Sequence, residues 1–157
     1  MDLTALIMDN RTKKVKQFSL PADVEYIASE FGYDREGVSF TIQSIEELPT
    51  LNCEGLTLDL ANELAENVED VDEDLVLSFI ESESSDPKYL ASVDFDDCNL
   101  YPDVATDREL GEYLVEEVGV ELSKEKLLLY IDYEKFGRDV RLEEGGSFVD
   151  KGYFVLR

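Results

Sequence analysis

The chain has 157 residues, 43% of them apolar and 10% aromatic, with 38 acids, 14 bases and a net charge of −24. The apolar content suits a folded protein that buries roughly 70% of its unfolded surface, and the charge argues against binding nucleic acid, whose phosphates would repel it. No apolar run approaches the roughly 18 residues of a membrane-spanning helix, the N-terminus lacks the basic region of a signal peptide, and no His is present, which excludes His-based catalysis and His-ligated metal.

In chain order, LTALIMD (3–9) and KVKQFSL (14–20) alternate as strands around a polar turn. Pro21 opens a helix that carries Val24, Ile27, Ala28 and Phe31 and ends at Gly32. VSFTIQSI (38–45) reads as a third strand with Val38, Phe40 and Ile42 on one face. Two acidic helices follow. Leu60, Ala61, Leu64, Ala65 and Val68 form the apolar stripe of the first. Asp59, Glu63, Glu66 and Asp70 recur at steps of four, three and four, which sets them on the opposite face. Asp72 caps the second helix, whose stripe is Leu75, Val76, Phe79 and Ile80. Glu73 and Asp74 suit its positive end. Glu81 and Glu83 sit at its negative end, where anions cost several tenths of a kcal/mol each, so helix stability does not explain them.

LASVDF (90–95) reads as a strand running into the acid cluster DFDDCN (94–99). Thr106-x-x-Glu109 is a capping box ahead of Leu110, Leu114, Val115 and Val118, with Gly119 past the end. Ser123 caps a further helix carrying Leu127, Tyr130 and Ile131, which stops by Gly137. GSFVDKGYFVLR closes the chain as a hairpin turning at Asp150-Lys151-Gly152. These elements make an α+β chain of two to three small subdomains: an N-terminal sheet with one helix (1–55), an acidic helical middle (56–103), and C-terminal helices with a β-hairpin (104–157).

The charge is unevenly placed. Residues 36–107 hold twenty acids and one base, Lys88, whereas 108–157 hold twelve acids and eight bases. General adaptation to salt would spread the acids, so the concentration marks a surface that meets a cationic partner. The expected surface comprises Asp59, Glu63, Glu66, Glu69, Asp70, Asp72, Glu73 and Asp74, then Glu81, Glu83 and Asp86, then Asp94, Asp96, Asp97 and Asp103. By charge alone, −24 matches the phosphates of roughly 12 base pairs of duplex DNA.

Other chemistry finds little footing. Asp94 and Asp96 match the first and third positions of a calcium loop, but Asn99 stands where that loop needs Gly and Ala105 where it needs Glu. No phosphate-binding Gly loop, dinucleotide fingerprint or nucleophile elbow is present. Cys53 and Cys98 read as two buried thiols rather than a disulfide framework. The expectation is a non-enzyme with no cofactor and no metal, in the cytoplasm.

The C-terminal third carries a more specific signal. Tyr130-Ile131-Asp132-Tyr133 is followed by Phe136-Gly137-Arg138-Asp139, a short acidic-apolar link and the closing hairpin, with DRELGEYLVEEVG (107–119) ahead of it. This arrangement resembles the end of the ArdA antirestriction family, and SLPADVEYIASEFG (19–32) and FTIQSIEELP (40–49) resemble its first region more loosely. The resemblance implies an elongated, dimeric DNA mimic from a phage or conjugative element. Such a protein takes the place of DNA on the specificity and methylase subunits of type I restriction-modification enzymes. The family commonly holds a Gly-x-Trp element in its N-terminal strands. Here KVKQFSLP stands in its place and the chain has no Trp. That departure keeps another DNA-binding defence complex, such as a CRISPR effector, open as the target. An acidic adaptor or chaperone for a basic protein is the remaining alternative. The Tyr and Phe of the 130–139 motif are expected in the core, with Arg138 paired to a nearby acid, so that the motif holds the fold or the dimer.

Overall fold

The computed structural model describes residues 1–119 and 121–155 and divides into two compact units, Met1–Pro102 and a second that begins at Asp103. The fold is α+β, as expected, with helices, a three-stranded antiparallel sheet and a separate hairpin.

In the first unit, β1 (Leu3–Asp9) lies between β2 (Val15–Leu20) and β3 (Phe40–Ile45). Leu3 faces Leu20 and Ala5 faces Ile45, with a bulge at Leu6/Ile7 against β3. Strict alternation buries Leu3, Ala5, Ile7 and Asp9 on one face of β1. Asp9 is a buried acid whose oxygens are occupied. It accepts the Arg11 N–H at 3.0 Å, the Thr12 hydroxyl at 2.5 Å and the Tyr33 hydroxyl at 3.1 Å. The Thr12 hydroxyl is the main reason its carboxyl is held below the usual Asp range.

Helix α1 (Val24–Phe31) begins after Pro21 rather than at it, and ends on Gly32 at φ +83°, whose N–H returns to Ala28 and Ser29. Helices α2 (Leu58–Val68), α3 (Glu73–Ser82) and α4 (Pro87–Ser92) follow, then a short 3₁₀ turn at Phe95–Asp97. Residues 90–95 were expected to form a strand, and the structure corrects this: Leu90 to Ser92 end α4. The cause is local. Asp86 accepts the Lys88 N–H at 2.9 Å and Pro87 occupies the first helical position, which together start a helix.

One core joins the sheet to these helices. Ile7, Ile27, Ile45, Leu64, Val68, Val76 and Leu90 all belong to the same buried cluster. Cys53 and Cys98 are free and only partly buried, and burial pushes the Cys53 thiol up.

The second unit contains α5 (Asp107–Glu116), α6 (Lys124–Tyr130), α7 (Tyr133–Glu144) and a hairpin of β4 (Ser147–Val149) and β5 (Gly152–Phe154). Thr106 and Glu109 form the expected cap, and Glu109 is held below the usual Glu range by the Ala105 N–H and then the Thr106 hydroxyl. The expected stop at Gly137 is corrected. The helix stops at Tyr130 instead, Asp132 caps a new one by accepting the Lys135 N–H at 2.9 Å, and Gly137 lies inside α7. Leu156 and Arg157, the end of the expected hairpin, lie outside the described residues.

Among the described residues of this unit only Gly146 is buried. Tyr130, Tyr133 and Phe136 are 80%, 59% and 58% exposed, so the expectation that the motif's aromatics are core does not hold. A unit of about 50 residues made of three short amphipathic helices and a small hairpin has too little second layer to cover its own apolar stripes. Among the described residues Arg138 forms an ion pair with exposed Asp139, at 3.9 Å.

Candidate functional site

The acids of the middle segment are positioned from within. On α2, the apolar stripe buries Ala61, Leu64, Ala65 and Val68, which turns Asp59, Glu63 and Glu66 outward. The helix ends at Val68, so Glu69 and Asp70 stand exposed just past its end rather than along it. On α3, burial of Val76, Phe79 and Ile80 leaves Glu73, Asp74 and Glu81 outward, with Glu83 at the C-terminal cap.

Side-chain amides tie α2 to its surroundings. Asn67 donates to the carbonyl oxygens of Leu90 and Val93, both at 3.0 Å, which fixes α2 to the end of α4. The Met1 amine donates to the carbonyl oxygens of Val68, Glu69 and Val71 at 2.7, 2.5 and 3.0 Å, which closes the C-terminal end of α2.

Three of the expected acids also cap local structure. Asp72 accepts the Asp74 N–H at 3.0 Å, Asp86 starts α4 as described above, and Asp94 accepts the Asp96 N–H at 3.0 Å. Asp96 and Asp97 are exposed within the 3₁₀ turn. Asp103 is exposed too, but it belongs to the second unit, at φ +68°.

Every acid of the expected surface is exposed. Among the described residues the ion pairs are Lys16–Glu30, Arg35–Glu25, Arg108–Glu112 and Arg138–Asp139, and none of them uses an acid of this surface. The acids of this surface therefore face solvent without an ion-pair partner among the described residues. Among the described residues no group of three or more Cys, Asp or Glu side chains is placed to hold a metal ion, and no helix is long and apolar enough to cross a membrane.

Sequence periodicity alone does not point to Tyr89 and Leu100, which are 49% and 43% exposed beside these acids. The signal that could find them is the interleaving of Phe79, Tyr89, Phe95 and Tyr101 with the carboxylates.

Two comparisons bear on identity. No curated protein matches the sequence. The family model described as antirestriction protein (ArdA) matches residues 13–155, nearly the whole chain, including the 130–139 motif, the helix ahead of it and the acidic middle. The chain belongs to the ArdA family of antirestriction proteins.

Proposed function

We propose that this antirestriction protein is a DNA mimic that inhibits type I restriction-modification enzymes by occupying the DNA-binding groove of their specificity and methylase subunits. The observation that carries this reading is the exposed set of carboxylates on ordered helices and caps between Asp59 and Asp97, none of them in an ion pair among the described residues. A cationic groove built for phosphates would attract such a surface, release its own counterions and be steered toward it. Because the acids sit on folded elements, docking would not have to order a disordered tail.

The protein acts by binding, without a catalytic step or a cofactor, in the cytoplasm of the host cell. It works as a homodimer whose contact includes the exposed Leu129, Tyr130 and Phe136 of the second unit. The test is competition. Purified protein displaces DNA from a type I methylase complex, and its affinity falls steeply with rising salt. Binding that leaves DNA in place, or that ignores salt, would overturn the reading. The missing Trp of the N-terminal strands favours one variant, in which the same surface is directed at another DNA-binding defence complex. Competition assays on a CRISPR effector separate the two.

A further inference from the structure

The acidic surface is not uniform. Between α3 and the α4–3₁₀ segment lies an open groove of about 530 Å³. Leu75 and Phe79 of α3, Tyr89 of α4, and Val93 and Leu100 beyond it give the groove an apolar lining. Phe79 is buried, with its ring centroid 5.7 Å from that of Phe95 and 5.4 Å from that of Tyr89. Tyr89 itself is half exposed. Glu83, Asp94 and Asp97 share the lining, which includes no Lys or Arg, and none of the three is in an ion pair among the described residues.

Carboxylates standing in for a row of phosphates would need no aromatic wall beside them. The combination selects its occupant. Asp94 and Glu83 already accept the Asp96 N–H and the Ser82 hydroxyl, but an acidic segment would meet like charge here and a neutral one would cover the three carboxylates without supplying a counter-charge, which is unfavourable. A bare metal ion would use the acids and leave the aromatic wall idle. A guanidinium group uses both. It is planar, weakly hydrated, stacks on aromatic faces and offers a fork of N–H donors to carboxylates.

We propose that this groove is an anchor pocket for an arginine side chain of the target protein, the guanidinium stacking on Tyr89 and donating to Glu83, Asp94 and Asp97. The inference rests on the reading that the first unit docks on a cationic protein surface, and it adds a specific contact to a general field. Stacking in a partly enclosed groove outlasts the screening that weakens exposed charge pairs. Part of the binding is therefore retained at high salt.

The test is a titration of the ¹⁵N-labelled full chain with N-acetyl-arginine amide, followed by backbone amide shifts, at about 1 M NaCl, where the Debye length is roughly 3 Å. The neutral isostere N-acetyl-citrulline amide serves as the control. Saturable shifts at Ser78, Tyr89, Cys98 and Asn99 are expected with the arginine compound and not with citrulline. Tyr89→Ala should weaken them roughly tenfold, while Tyr89→Phe retains them. Asp97→Asn, at an exposed position without a capping role, gives a second variant that weakens binding without touching the core. Shifts spread equally over the acids of α2, or shifts indifferent to both Tyr89→Ala and Asp97→Asn, would overturn the inference. The titration involves no restriction enzyme, so the two readings fail separately. Groove binding without restriction inhibition would remove the proposed function, and inhibition without groove binding would remove the anchor.

Discussion

Asn62 and Ala22 form a reciprocal pair: Asn62 Oδ1 accepts the Ala22 N–H and Asn62 Nδ2 donates to the Ala22 carbonyl oxygen, both at 2.9 Å. The pair fastens α2 to the segment that leaves β2. Asn62→Ala leaves both main-chain groups of the nearly buried Ala22 without these partners, so the first unit should lose about 1–3 kcal/mol. Urea unfolding followed by circular dichroism reads this directly. An unchanged midpoint would mean that packing alone seats α2.

Neutralising the outward acids of α2 should separate stability from binding. Each exposed carboxylate contributes little alone, so the useful variant combines Glu63→Gln, Glu66→Gln, Glu69→Gln and Asp70→Asn. Among the described residues, none of these four side chains is in a hydrogen bond or an ion pair, although the Glu69 carbonyl oxygen accepts from the Met1 amine. The variant should fold with equal or greater stability, because self-repulsion falls. Its affinity for a type I methylase should drop roughly tenfold at low salt, with a shallower salt dependence. Competition binding across a NaCl series checks both. In the parent protein, the same series should raise the melting temperature while weakening the complex.

Acid should act on the β1–β2 turn through Asp9. Its folded carboxyl lies below the ordinary range, held there by the Thr12 hydroxyl, the Arg11 N–H and the Tyr33 hydroxyl, with the Arg11 guanidinium 5.2 Å from the centre of the Tyr33 ring. A depressed carboxyl stabilises the fold fully above the unfolded value of about 3.9 and progressively less as pH falls below it. Asp9→Asn should therefore lower stability at neutral pH and flatten the acid limb of the stability profile below that value. Thermal melts from pH 7 downward on parent and variant read the difference.

The second unit should depend on its exposed apolar side chains for self-association. Leu129 and Tyr130 are 78% and 80% exposed, on a unit with almost no core of its own. Tyr130→Asp combined with Leu129→Asp should convert a dimer to a monomer in sedimentation velocity, while leaving the unfolding midpoint of the first unit unchanged. A parent that sediments as a monomer would overturn the dimer.

Gly146 gives a local test of the hairpin. A Cβ there would stand 2.1 Å from the Tyr153 hydroxyl oxygen, and that hydroxyl pairs with Glu144 at 3.3 Å. Gly146→Ala should push the Tyr153 ring away, break the pair and cost the hairpin about 1 kcal/mol. Loss of the Glu144–Tyr153 contact by NMR is the readout.

β1, β2 and the stripes of α2 and α3 were legible because each has a buried face with a clean period, two residues for a strand and 3.6 for a helix, whereas β3 begins at Phe40, leaves Val38 outside, and buries Ile42 and Ile45, three apart, where its register against β1 shifts. The outward acids followed from the same stripes. Residues 90–95 misled because LASVDF carries a short β-like pattern, while the deciding signals, Asp86 and Pro87, lie upstream of it. Gly137 misled in the opposite direction. A Gly is tolerated inside α7, and the real break came from Asp132, whose side chain competes for the backbone and starts a new helix. The exposure of Tyr130, Tyr133 and Phe136 was not legible at all, because periodicity reports which face of a helix is apolar and not what covers it. The groove beside Tyr89 is tertiary: it needs α3 and the 3₁₀ turn side by side, and no single periodic segment encodes that.

The capping aspartates Asp72, Asp86 and Asp94 have a consequence for how this surface meets different targets. Each short side chain is held by its own main-chain hydrogen bond, so its charge is stationary before any partner arrives and loses little further freedom on docking. Glu63, Glu66 and Glu81 have longer, unconstrained side chains on helix faces and can follow the cations they meet. The surface thus combines fixed reference points with adjustable ones, so that one rigid fold can fit binding grooves whose basic residues differ in position by the reach of a glutamate side chain.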